Sequence, residues 1–196
     1  MPEDTQLSDS DGVFLVKTAR MAVTEFLSNG KRMKLESERE KKFSFNAGVF
    51  VTLNNADGLR GCIGFPMPDK KLSHGIIDAA IAAATEDPRF SPVKINELND
   101  IVFEVTVLTP PVEIIVTDPM EYLEKIKVGR DGLIIRNSFS SGLLLPQVPV
   151  EYGWNVEEFL QHTCEKAGLE KDTWKNEKVK IEKFEGIVYK EKTNGS

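Results

Sequence analysis

Apolar positions along the chain follow two rhythms, and each predicts its own kind of element. Between Gly12 and Leu27, the residues Leu15, Ala19, Ala22, Val23 and Phe26 recur at steps of three and four, the spacing of one helix face. Asn29-Gly30 supplies the stop. Residues 1–11 ahead of this stripe read as a mobile polar lead, and the highly charged stretch Lys31–Lys42 as a solvated connector. The rhythm then shortens. Gly48–Leu53 is β-branched and aromatic and predicts a strand, Asp57-Gly58 predicts a tight turn, and Leu59–Gly64 predicts the return strand. A loop with Pro66 and Pro68 leads into a helix with the apolar stripe Ile76, Ile77, Ala80, Ile81 and Ala84, capped by Ser73 and ended by Asp87-Pro88. Ile101–Leu108 alternates most cleanly, with Ile101, Phe103, Val105 and Val107 on one face and Val102, Glu104, Thr106 and Leu108 on the other.

Pro110-Pro111 breaks that strand, Val112–Val116 predicts a further short one, and Asp118 is placed to cap a short helix running to about Ile126. A second hairpin is predicted from Leu133–Ile135, the turn Asn137–Gly142 and Leu143–Leu145. Val156–Ala167 predicts a helix ending at Gly168, Val179–Val188 a final strand, and 191–196 a tail. Gly48 and Gly58 are ten residues apart, as are Gly132 and Gly142, and each pair is followed by a return strand, a proline-bearing loop and a helix. This order predicts an α+β fold of one domain over residues 12–190. Its two similar β/α halves, roughly 12–108 and 109–190, would come from an internal duplication around a mainly antiparallel sheet.

Composition narrows the class. The 196 residues suffice for a sizeable core, and 40% hydrophobic with 29% charged residues is the balance of a soluble globular chain. No apolar run approaches the roughly 20 residues of a membrane span. The acidic start, Met1-Pro2-Glu3-Asp4, does not resemble a secretory signal. A net charge of −6 with scattered basic residues argues against nucleic-acid binding, which needs a concentrated positive face. Two cysteines and two histidines without metal-ligand spacing predict neither a disulfide framework nor a metal or cofactor site, and a reducing cytoplasmic location is expected.

Candidate chemistry is densest at Leu59-Arg60-Gly61-Cys62-Ile63-Gly64. Strand alternation puts Leu59 and Ile63 toward the core and Arg60 with Cys62 on the other face, where a neighbouring guanidinium would favour thiolate. Gly61 and Gly64 leave room for a second backbone or a ligand. A cysteine is also a common small core residue, and no histidine adjoins Cys62 in sequence. Asp87-Pro88-Arg89-Phe90-Ser91-Pro92 either presents Arg89 to an anionic ligand or pairs Asp87 with Arg89 at a helix end. Glu104 interrupts an apolar strand, so it serves as an acid/base group or as the partner of Arg60 or Arg89. Gln147, after Leu143-Leu144-Leu145-Pro146, offers a donor and an acceptor. His162 and Cys164 point about 200° apart on one helix and are not a pair.

Taken in order, these segments resemble the AMMECR-one domain family. The resemblance rests on Gly48–Leu53 with Leu59–Gly64, Asp87–Pro92, the strand through Glu104, Gly132–Ile135, Leu144–Val148 and Lys166–Leu169, and covers about Val13 to Val188. It implies duplicated β/α halves around one barrel-like sheet, members that occur beside or fused to a Memo-type protein and a radical-SAM enzyme, and no established reaction. The family's suggested pocket would carry over to Arg60, Gly61 and Cys62. The chain is therefore expected to be a cytosolic enzyme or enzyme component that binds a small polar or anionic ligand. Cys62 and Glu104 would serve as catalytic groups; Arg60, Gly61, Gly64, Asp87, Arg89 and Gln147 would line the site. The alternative is a non-catalytic adaptor acting through a protein partner such as a Memo-type protein.

Overall fold

The structure, a computed structural model, describes residues 7–175 and 179–192. The first helix, α1 (Asp9–Asn29), starts three residues before the apolar stripe because Ser8 and Asp11 form a capping box. The Ser8 hydroxyl accepts the Asp11 N–H, and the Asp11 carboxylate accepts the Ser8 N–H. Leu7 and Asp11 are buried, so residues 7–11 belong to the folded unit and are not a mobile lead; residues 1–6 and the tail from 193 lie outside the described residues. Gly30 closes the helix in the left-handed region at φ 71°. The charged connector also differs from its reading. Ser37–Lys42 forms helix α2, as its run of Glu, Arg and Lys favours, while Met33 and Phe43 on either side are buried.

The described residues divide into two compact units, one of residues 7–108 with 187–192 and one of residues 109–186. In the first unit, β1 (Val49–Asn55) and β2 (Gly58–Phe65) form a hairpin around Ala56-Asp57, and β1 also pairs antiparallel with β3 (Val102–Leu108). Helix α3 (Leu72–Thr85) carries an almost unbroken buried surface of alanine and isoleucine. With α1 it covers the sheet face formed by Val49, Val51, Leu53, Phe103, Val105 and Val107, all fully buried. Small alanines let a helix approach a sheet closely. Ala83 comes so near β2 that a Cβ on Gly61 would stand 2.2 Å from its carbonyl oxygen. Ser73 does not cap this helix. Lys71 holds the cap position, and the first N–H groups are accepted by the carbonyls of Phe45 and Phe43.

In the second unit, β4 (Val112–Glu113) pairs antiparallel with the part of β7 (Lys180–Lys190) that precedes residue 187, and this part of β7 with β5 (Asp131–Arg136), which pairs with β6 (Ser141–Leu144). The expected strand over Val112–Val116 is cut short because the N–H groups of Thr117 and Asp118 turn to the Glu121 carboxylate. Asp118 does cap the following turn, accepting the Met120 N–H, before helix α4 (Tyr122–Lys125). Gln147 opens a short helix, α5 (Gln147–Tyr152), and Asn155 caps α6 (Val156–Lys166) through a reciprocal box with Glu158. Leu133, Ile135, Phe159, Leu160, Trp174 and Ile181 build this unit's core.

The fold is thus α+β with antiparallel pairing throughout the strands named. The ten-residue glycine spacing does not mark equivalent positions. Gly58 is a turn residue at φ 110° with open space beside it, whereas Gly142 lies against the end of α6, where a Cβ would stand 2.3 Å from the Ala167 nitrogen. The spacing carries no argument for a duplication. No described helix is long and apolar enough to cross a membrane.

Candidate functional site

The hairpin that holds Arg60, Gly61 and Cys62 is not regular. Leu53 pairs with Gly61, but Asn54 pairs with Leu59, so Arg60 is the extra residue of a bulge. This bulge undoes the alternation that sequence spacing implies. Leu59 is 40% exposed instead of facing the core, and Arg60 does not share a face with Cys62. The bulge aims Arg60 at Glu97, with Nε 2.9 Å from Oε2 and Nη2 3.3 Å from Oε1, while Nη1 donates to the Ser91 carbonyl at 2.9 Å. The Arg60 guanidinium, helped by the Lys94 backbone N–H, holds the Glu97 carboxyl below the usual carboxylate range.

β2 is the outermost strand of its sheet, and an outer strand presents unpaired backbone groups. At Cys62 these groups are met by the segment after α3. The Asp87 carboxylate accepts the Cys62 N–H at 2.8 Å, and the Arg89 guanidinium donates to the Cys62 carbonyl at 3.3 Å. Asp87 is buried and holds Arg89 in turn through Nε at 3.0 Å and Nη2 at 2.8 Å. Arg89 drives the Asp87 carboxyl well below its ordinary range. Burial opposes this shift, and the backbone N–H groups of Cys62 and Arg89 reinforce it. Two side chains thereby replace the missing neighbour strand at one residue. Gly61 and Gly64 are similarly engaged by the chain itself. Gly61 admits α3, and Gly64 admits the Phe50 ring, 2.3 Å from where a Cβ would sit.

The remaining groups lie on the face turned away from α1 and α3. Thr52 on β1 is directly opposite both Cys62 on β2 and Glu104 on β3, so thiol, hydroxyl and carboxylate form one row across three strands. Opposed residues of this kind have Cβ atoms about 4.5–5.5 Å apart. The Thr52 hydroxyl donates to the Cys62 sulfur at 3.4 Å, and all three residues are half-buried. Glu104 is not the partner of Arg60 or Arg89; among the described residues its carboxylate makes no hydrogen bond or ion pair. Of the residues expected to line one site, Arg60, Gly61, Cys62, Asp87 and Arg89 meet around β2, and Glu104 joins Cys62 through Thr52. Gln147 lies exposed in the other unit.

Sequence reasoning passed over Thr52 and Glu97. A regular hairpin closed at Asn55 and Gly58 would set Thr52 opposite Gly61, and only the bulge moves it to Cys62. Glu97 sits in a 3-10 turn, Ile95–Asp100, and its pairing with Arg60 joins residues 37 positions apart, which no local pattern encodes. No described histidine hydrogen-bonds either thiol. His74 meets Glu40 and His162 meets Glu165. Cys164 is fully buried, and burial pushes its thiol up to about 11.

The AMMECR1 family profile matches residues 16–189, nearly the whole chain, and the chain belongs to that family. Among its relatives, Protein MJ0810 of Methanocaldococcus jannaschii is 52% identical over 187 residues, spanning 94% of this chain and 92% of its own. Protein MK0488 of Methanopyrus kandleri is 48% identical over 95% of this chain and 91% of its own. The crystal structure of the uncharacterized protein PH0010 from Pyrococcus horikoshii matches with a TM-score of 0.77 at 49% identity, covering 95% of this chain and 94% of that one.

Proposed function

We propose that the chain is a ligand-binding enzyme component that receives a small polar molecule on the β2-β1-β3 face, at the row Cys62–Thr52–Glu104. The observation that carries this reading is the row itself. A half-buried carboxylate without a partner among the described residues sits beside a hydroxyl and a thiol, and such a group is expensive to bury unless something pairs with it. The charge argues for a ligand that brings donors, an amine or amide, more than for an anion, since Arg60 and Arg89 are taken up by Glu97 and Asp87. Those arginines and Asp87 act in this reading as positioning residues that fix the outer strand. Cys62 is the group available for nucleophilic chemistry.

A fragment screen followed by backbone amide NMR tests it. Amine- and amide-bearing fragments are expected to shift Thr52, Cys62 and Glu104 and to lose affinity in Glu104→Gln. Hits that fall only elsewhere, or that bind Glu104→Gln equally well, would remove the proposal. The adaptor reading has one observation of its own, the stack of Tyr152, Trp154 and His162 in the second unit, with ring centroids 4.9 and 3.9 Å apart and Tyr152 69% exposed. Binding of a purified Memo-type protein that is lost in Tyr152→Ala and kept in Glu104→Gln would favour that reading instead.

A further inference from the structure

The row Cys62–Thr52–Glu104 has a fourth member on the neighbouring strand. β7 ends beside β3, and its last residues belong to the same unit as that strand. The Glu191 N–H donates to the Phe103 carbonyl at 3.0 Å, and the Thr109 N–H to the Glu185 carbonyl at 2.8 Å, so the two segments run antiparallel with one constant offset. That offset sets Lys190 directly opposite Glu104, and Val188 opposite Thr106. Side-chain alternation agrees with it. Tyr189, between the two, packs on the first unit's core with its ring against Gly12 of α1, so Val188 and Lys190 turn to the other face, the one that carries the row.

Lys190 is exposed, and neither it nor Glu104 forms a hydrogen bond or ion pair among the described residues. A carboxylate and an ammonium group thus face each other across one strand gap, where Cβ atoms stand about 4.5–5.5 Å apart, and remain unjoined. Direct closure of such an exposed pair gains little, because two long side chains must be held in one geometry. A solute with an amino group and a carboxylate on one carbon brings the opposite charge to both at once. The next rung on this face carries apolar groups. Phe50 is half-buried with its ring against Gly64, and Val188 is 55% exposed. That rung lies two residues along, roughly 7 Å away, within reach of the solute's own side chain. Arg60 and Arg89 are held by Glu97 and Asp87, so the cation opposite Glu104 is Lys190 and neither arginine.

This rests on the ligand site proposed above: we infer that its ligand is an α-amino acid with an apolar side chain. The Glu104 carboxylate accepts from the amino group, the Lys190 ammonium donates to the ligand carboxylate, and Phe50 with Val188 takes the side chain. Lys190 is a specificity-determining residue in this arrangement, and no covalent step is involved.

The test is an amide NMR titration of the intact chain at low salt with L-leucine and its two halves. These are 3-methylbutylamine, which lacks the carboxylate, and 4-methylpentanoate, which lacks the amino group. Saturable shifts at Thr52, Glu104 and Lys190 are expected with leucine. Each half should bind more weakly by about tenfold or more, the loss of one charge-assisted contact. Lys190→Gln should bring leucine down to the affinity of the amine and leave the amine's own affinity unchanged; the position is exposed, so folding is not at stake. Leucine bound no tighter than either half, or bound equally well by Lys190→Gln, would overturn the inference, while an amine that still binds and is lost in Glu104→Gln would keep the site itself. No saturable shift from any of the three up to about 10 mM would remove both.

Discussion

A thiol is modified only where a reagent can reach it and as its thiolate, and the two cysteines of this chain stand in different settings. Cys62 is half-buried on the outer strand; Cys164 is sealed in the second unit's core with its thiol pushed up to about 11. Iodoacetamide on the native chain at neutral pH is therefore expected to label Cys62 alone, with Cys164 reacting only in denaturant; mass spectrometry of tryptic peptides decides it. Asp87 offers a pH test. Its folded carboxyl lies below the ordinary value of 3.8, so on acidification the unfolded chain takes up this proton first. Stability from Asp87 is whole above about pH 4–5 and drains away as pH falls toward the depressed folded value. Asp87→Asn should cost about 1–3 kcal/mol at neutral pH and flatten the acid limb of a urea-melt series. An acid limb as steep as the wild type's would show that other carboxylates carry it. Spacing in the sequence already put an acid and an arginine together here. It gave no sign that both would serve the backbone of Cys62, because that contact joins residues 25 and 27 positions apart.

At the scale of elements, close approach is set by side chains that are missing. Gly61 lies against the α3 backbone, so Gly61→Ala forces strand and helix apart and is expected to destabilise the first unit by about 1–3 kcal/mol, read as a lower urea midpoint. Ser8→Ala removes one half of the α1 capping box and should cost about 1 kcal/mol by the same measurement. The helices α1, α3 and α6 and the hairpins were legible because periodicity and turn residues are local signals. The bulge at Arg60 was not. A bulge leaves the alternation of residue types intact while shifting which residues oppose each other, so counting along Leu59–Gly64 assigned Arg60 to the wrong face and hid Thr52. The connector misled for the opposite reason. Its charges spoke for solvent, but its helix-forming residues and the isolated Met33 and Phe43 tied it to the core.

For the whole chain, the telling feature is that residues 187–192 belong to the same unit as residues 7–108. The Glu191 N–H donates to the Phe103 carbonyl, its carboxylate accepts the Phe103 N–H, and Arg20 of α1 forks onto that carboxylate while also donating to the carbonyls of Leu98 and Ile101. Arg20 also lies over the Phe103 ring. Glu191→Ala should leave a partly buried guanidinium and a strand N–H without their partner, lowering stability by about 1–3 kcal/mol, with faster amide exchange at Phe103. Unchanged exchange there would mean the tail is not a working part of the first unit. Sequence alone determined the α+β class, most elements and the segments where chemistry concentrates, because these depend on periodicity, turn propensity and residue type within a short window. Which groups stand side by side was decided only by tertiary structure. The thiol–hydroxyl–carboxylate row and the Arg60–Glu97 pair both depend on strand register and on contacts between residues far apart in the chain, and no local pattern encodes those.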